Sequence, residues 1–205
     1  RMTVLKLRRG LLLYAPVAPT AEVRQALQRL EQQHGPVVTI VLPSSSGLEH
    51  KLPVPAMARA FPEATVWVTP KQWSFPVPLP LSWLGFSKGR TKVLFEQGLP
   101  HADELAWVPL GPLNLGLGTF MEAACLHRSS GTLLVTDALV GLSAQPPAVF
   151  ELDPTPLLFH GRERGSEPIA ESPGLRQRGW KRLALFASYL RPASLQVPPL
   201  RQVLG

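Results

Sequence analysis

The apolar positions of this 205-residue chain change period several times, and each change marks an element. Residues 2–7 and 11–14 run apolar or alternate around Arg9-Gly10, the pattern of a hairpin. Thr20 stands before a segment in which Val23, Ala26, Leu27 and Leu30 recur at helical spacing, and Gly35-Pro36 ends it. Val37–Leu42 is β-branched and apolar, as a strand buried on both faces should be. A serine-rich loop follows. A short helix is predicted over 55–61, with Met57, Ala58 and Phe61 inward, and a strand over 64–69. Further strands are predicted over 92–95, 105–109, 119–127, 132–136 and 156–160. A last helix over 174–190 would turn Trp180, Leu183, Ala184, Ala187 and Leu190 to one side. The strands are too many and too clustered for simple strand–helix alternation. A core of two sheets with helices outside, an α+β arrangement, is the expectation.

Composition fits one compact domain over residues 1–205: 45% of residues are hydrophobic and only 17% charged, so most of the chain can bury a core. Arg1 precedes Met2 and the chain stops within an apolar pattern, which reads as a piece of a longer protein. The 23 prolines sit mostly at segment boundaries and stiffen loops. The formal net charge of +7 favours acidic partners such as an anionic membrane surface or an acidic protein. The charge is dispersed, with its densest cluster at Arg176, Arg178, Lys181 and Arg182, and no nucleic-acid-binding motif accompanies it. Cys125 is the sole cysteine, which excludes an internal disulfide and a cysteine-based zinc cluster; its apolar surroundings place it in the core. No long apolar stretch reads as a transmembrane helix, and no signal-peptide pattern is present. A cytoplasmic compartment is the expectation, with peripheral membrane contact as an option.

Two segments carry the candidate chemistry. Strand 37–42 ends at Pro43 and opens into a small-residue loop closing on Glu49-His50; strand 132–136 delivers Asp137 at its end. Strand ends of this kind are where α/β proteins place catalysts and metals. His160, after the strand predicted over 156–160, is a fourth candidate. Glu49, His50, Asp137 and His160 would offer nitrogen and oxygen donors suited to one zinc, iron or manganese ion. The competing reading has Glu49 and His50 capping a helix and Asp137 bonded to loop amides. His34 reads as a helix-end residue, and His101 and His127 as surface residues. Ser44, Ser45 and Ser46 lack a nucleophile elbow, and Gly116-Leu117-Gly118 lacks the setting of a dinucleotide loop; both read as turns. The segment 72–86 is rich in tryptophan and proline. Trp73, Phe75, Trp83 and Phe86, near Lys88, Arg90 and Lys92, suit a membrane interface or a partner, and covering a sheet equally well.

These segments resemble the metallo-β-lactamase superfamily, whose members place an HxHxDH motif after a buried strand. Ser45, Gly47, Glu49 and His50 stand where its four metal-binding side chains would be, and Asp137 in TLLVTDAL matches the bridging aspartate. The lone histidine of the superfamily is replaced within TFMEA, which offers Thr119 to Glu122. The runs RMTVLKL, YAPVAPT, SGLEHK, QWSFPVPLPLSWLGF, HADELAW, HRSSGTLLVTD and LDPTPLLFHGRE resemble, more closely, a family of cyanobacterial and plastid proteins defined as a domain of unknown function. The resemblance implies a four-layer αββα sandwich, truncated at one or both ends, a photosynthetic source and a degenerate metal motif. The role it implies is non-catalytic or scaffolding, with a mononuclear metal-dependent hydrolase as the alternative.

Overall fold

The computed structural model describes residues 1–45, 48–73, 79–114, 119–139 and 141–188, with the side chains of 186–188 outside that set. Ser46, Gly47, Phe75, Gly116-Leu117-Gly118, and the side chains of Ala187 and Leu190 therefore lie outside the described residues. The fold is mixed α and β and divides into two compact units, residues 1–139 and 140–205.

The first unit begins with the expected hairpin, β1 (Thr3–Leu7) and β2 (Gly10–Tyr14), paired antiparallel. Gly10 makes the turn at φ +130°, where a Cβ would stand 2.2 Å from the Pro36 carbonyl oxygen, so only glycine fits. Helix α1 (Ala21–His34) starts where Thr20 Oγ1 accepts from the Val23 amide at 3.4 Å, and it stops at Gly35 with φ +91°. Strand β3 (Val37–Leu42) follows, then α2 (Leu48–Lys51), α3 (Pro53–Ala60) and β4 (Thr65–Val68). A 3-10 turn at Leu81–Leu84 leads to β5 (Thr91–Val93). The five strands form one sheet in the order β1-β2-β3-β4-β5, parallel from β2 onward.

A second, antiparallel sheet is built from β6 (Leu105–Asn114), β7 (Thr119–His127) and β8 (Thr132–Leu134). Side-chain alternation sorts the first sheet into two packed faces. Leu11, Leu13, Ile40, Leu42 and Val66 meet Leu27 of α1 and Val54, Met57 and Ala58 of α3. Leu5, Leu12, Tyr14, Val41 and Trp67 meet Leu105, Trp107, Ala123, Cys125 and Leu134 of the second sheet. Layers of helix, sheet and sheet result, with β3 buried on both sides as its composition requires. Cys125 lies in the core between the sheets, where burial pushes its thiol up to about 12. The buried Tyr14 hydroxyl donates to the Ala123 and Leu134 carbonyls at 3.1 and 3.2 Å, pinning β7 and β8 to the first sheet.

The second unit contains α4 (Val149–Leu152), α5 (Thr155–Gly161) and α6 (Pro173–Ser188). The strand expected over 156–160 is thus a helix. Asp153 accepts from the Thr155 amide at 2.9 Å and Pro156 sits in the first turn, where a missing N–H costs nothing. The run Pro-Leu-Leu-Phe suits either period, and its caps decide. Arg182 of α6 donates to the carbonyls of His160, Gly161 and Arg162 at 3.3, 3.4 and 2.5 Å, closing the C-terminus of α5, and forms an ion pair with Glu163. The two helices touch backbone to backbone at glycines. A Cβ on Gly179 would lie 1.8 Å from the Leu157 carbonyl oxygen. Gly179→Ala is therefore expected to force α5 and α6 apart and to lower the stability of this unit by about 1–3 kcal/mol. A thermal melt unchanged by this substitution would refute the crossing. Trp180, expected on the buried face of the last helix, is half-buried; it donates to the Ser143 carbonyl at 2.9 Å and lies 6.0 Å from the Phe150 ring.

Candidate metal centre

Strand β3 does not end when it leaves the first sheet. Pro43–Ser45 crosses to β7: the Ser45 amide donates to the Met121 carbonyl at 2.8 Å and the Ala123 amide to the Pro43 carbonyl at 2.7 Å. This stitch joins the two sheets at the rim formed by the carboxyl ends of β3 and β4. Ser45 is fully buried, its hydroxyl donating to the Thr119 carbonyl at 3.0 Å and accepting from the Met121 amide at 2.9 Å. It braces the stitch, with its proton and one lone pair engaged by β7.

Beyond the stitch, α2 carries Glu49 and His50. The loop after β8 carries Asp137, and Glu122 of β7 sets that loop. Glu122 is fully buried, and its carboxylate accepts from the amides of Thr136, Asp137 and Ala138, the last two at 2.8 and 2.9 Å. Three convergent amides replace the water a buried carboxylate has lost. Asp137 is held facing α2, with its Oδ2 3.1 Å from His50 Nε2; Glu49 Oε1 lies 3.9 Å from the same nitrogen. The donor atoms of Glu49, His50 and Asp137 all fall within 4.8 Å of one another, so a small side-chain adjustment would let them share one ion through bonds near 2 Å. His50 is largely covered, whereas Glu49 and Asp137 remain open to solvent.

Three of the four expected ligands thus come together. His160 belongs to α5 of the second unit, in the last turn of a helix rather than at a strand end, with its ring against Phe159 at 5.4 Å.

The hydrogen bond that His50 donates to the Asp137 carboxylate holds the imidazole above its ordinary value of 6.5; burial opposes this, and the charges of Asp137 and Glu49 add to it. A raised folded pKa means the charged pair stabilises the fold below about pH 6.5, and the contribution disappears as pH rises through the folded pKa. In a histidine NMR titration His50 should protonate above pH 6.5, and Asp137→Asn should bring it down to that value or below. An unchanged midpoint in the variant would disprove the pairing.

The rim holds a further polar group that sequence reading missed. Lys51 is 1% exposed and donates to the carbonyls of Ser45 and Trp73. Burial pushes its ammonium down to about 8. Gln72 also braces this rim, donating to the Ser44 and Thr69 carbonyls at 3.0 Å each.

Among the contact residues expected of segment 72–86, Trp83 is 77% exposed and Trp73 half-buried. Phe86 is a correction: it packs in the core beside α3 and meets no outside surface. Arg90 is likewise committed. Its guanidinium donates to the carbonyls of Ala58, Phe61, Pro62 and Ala64 and closes the end of α3. Among the described residues no helix is long and apolar enough to cross a membrane.

Comparison with known proteins adds little chemistry. No curated protein and no solved structure matches the chain significantly. One family model does match, over residues 1–205, and the chain belongs to that family: Domain of unknown function (DUF4336).

Proposed function

We propose that this chain is a metallo-β-lactamase-like αββα sandwich that has exchanged a dinuclear metal centre for hydrogen-bonded protein structure. It serves a non-catalytic, binding or scaffolding role in a photosynthetic organism, in the cytoplasm or plastid stroma. One observation carries this reading. Ser45 and Glu122, which fall where the resemblance expects metal ligands, are both fully buried and bonded into the rim. Three amides occupy most of the roughly four acceptor sites of the Glu122 carboxylate, and full burial leaves it committed to the loop. Protein purified without chelator should contain less than about a tenth of an equivalent of zinc, iron or manganese and show no hydrolysis of ester, phosphodiester or lactam probes. Stoichiometric metal with turnover would overturn the reading.

The convergence of Glu49, His50 and Asp137 favours a second reading, a mononuclear metal-dependent hydrolase. One nitrogen and two oxygen donors fit zinc, iron or manganese, and an ion held there would supply an activated water. His50 must be neutral to bind, so the imidazole proton that Asp137 stabilises competes with the metal. Here calorimetry with added zinc or manganese should give one site per chain, weakening below the His50 pKa. Asp137→Ala should abolish it and, above the His50 pKa, change stability by less than about 0.5 kcal/mol, since the side chain is exposed. Equal binding by wild type and variant would end this alternative.

A further inference from the structure

A cavity of the first unit lies at the opposite end of the sheet from the His50 rim. Its volume is about 600 Å³, within the range of small-molecule sites. Its walls come from the β1–β2 turn, the first residues of β3, β4 and β5, and the segment that crosses between the sheets before β6. Trp67, Thr39 and Pro100 face it together with Arg8, Arg9, Lys92 and His101.

Arg8, Arg9 and Lys92 face Asp103 and Glu104, a formal excess of one positive charge with histidine counted neutral. Asp103 and Glu104 are both taken up by Arg8: its guanidinium pairs with Asp103 and lies 3.7 Å from Glu104, and its amide donates to Glu104 at 3.0 and 3.2 Å. Arg9 has no ion pair or hydrogen bond among the described residues. The Lys92 ammonium rests 5.5 Å from the Trp67 ring centre and makes no ion pair among the described residues. His101 adopts φ +52°, a left-handed conformation disfavoured for a side chain of this size, and turn bonds from the Glu104 and Leu105 amides hold it there. The strained residue places its Nε2 2.8 Å from Thr39 Oγ1 at the cavity wall.

Two cations without an ion-pair partner among the described residues, an indole and an oriented imidazole–hydroxyl pair line one concave space. We infer that this cavity binds a small organic anion, a carboxylate or phosphate carried on an apolar body, with Arg9 and Lys92 gripping the anionic head beside Trp67. The site is separate from the Glu49–His50–Asp137 rim and stands or falls independently of it.

The test is an NMR titration of the isotope-labelled full chain with adenosine monophosphate and with indole-3-acetate, against adenosine and indole as their neutral counterparts. The two anions distinguish a phosphate head from a carboxylate head. At least one should shift the Trp67 indole and the Thr39 and Lys92 amides saturably, and bind at least about tenfold more tightly than its neutral counterpart. Arg9 and Lys92 are both exposed, so Arg9→Ser with Lys92→Gln should leave the melting temperature unchanged and weaken that anion about tenfold or more. Shifts scattered over the surface, equal binding of the neutral compounds, undiminished binding by the double variant, or no saturation by either anion at about 10 mM would each overturn the inference.

Discussion

Glu122→Ala is expected to release the loop that carries Asp137 and to destabilise the first unit by about 3–5 kcal/mol. The carboxylate is fully buried and accepts from three successive amides, those of Thr136, Asp137 and Ala138. Removing it leaves these donors without acceptors. An unsatisfied buried polar group costs about 1–3 kcal/mol. The three penalties do not add in full, because a released loop can turn its amides to water. That escape sets the upper end of the range and also predicts the structural outcome: amides 136–138 should lose hydrogen-exchange protection. The Asp137–His50 contact depends on this loop, so the raised His50 pKa should fall back as well. Glu122→Gln keeps the shape but turns an NH2 toward amide donors, and should fall between, at about 1–3 kcal/mol. Urea unfolding of the three proteins is the measurement. A Glu122→Ala variant within about 0.5 kcal/mol of wild type would show that the carboxylate is not what sets the loop.

Glu122 also marks where the sequence stops being readable. The buried strand Val37–Leu42, the hairpin at Gly10 and the helix capped by Thr20 were legible because each is a local pattern with local punctuation. The approach of Asp137 to Glu49-His50 was legible from two strand ends taken together. What could not be read is the wiring between them. Glu122 sits in an apolar strand and looks like one stray charge; its three partners lie fourteen to sixteen residues away. Lys51 looks like a solvated helix residue until the carbonyls of Ser45 and Trp73 surround it. Arg90 reads as part of a basic surface, yet its partners are the carbonyls that end α3. His101 reads as a surface loop residue and instead lines the anion cavity beside Thr39. Polar side chains with long-range backbone partners leave no period in the sequence. Segment 156–160 failed for a different reason: four apolar residues fit a strand or a helix, and only Asp153 and Pro156 select the helix.

Lys51 gives the second large effect, and it is one of pH. Its ammonium is pushed from 10.5 down to about 8 by burial. The unfolded chain therefore holds a proton between about pH 8 and 10.5 that the folded chain has released. Wherever the unfolded state binds more protons, stability rises with pH. Below about pH 8 the folded protein carries a charged, desolvated ammonium at a cost of about 3 kcal/mol, from 1.36 kcal/mol per pKa unit. That cost should fade as the pH climbs to about 10.5. Cys125 and Tyr14 act in the opposite sense. Their folded pKa values are raised from 9.0 and 10.0, so the unfolded chain ionises first and stability falls above those values. The raw stability curve mixes the three groups. The difference between wild type and Lys51→Met isolates the lysine, because methionine keeps the length and apolar stem without the proton. The variant's advantage should be largest at pH 7 and shrink by about 3 kcal/mol on going to pH 10.5. Loss of the two hydrogen bonds to Ser45 and Trp73 shifts that difference by a constant and leaves its slope intact. Denaturant unfolding of both proteins at pH 7, 8, 9 and 10.5 reads the slope directly. A flat difference would mean that Lys51 reaches water, and that the rim beneath Ser45 is open rather than sealed.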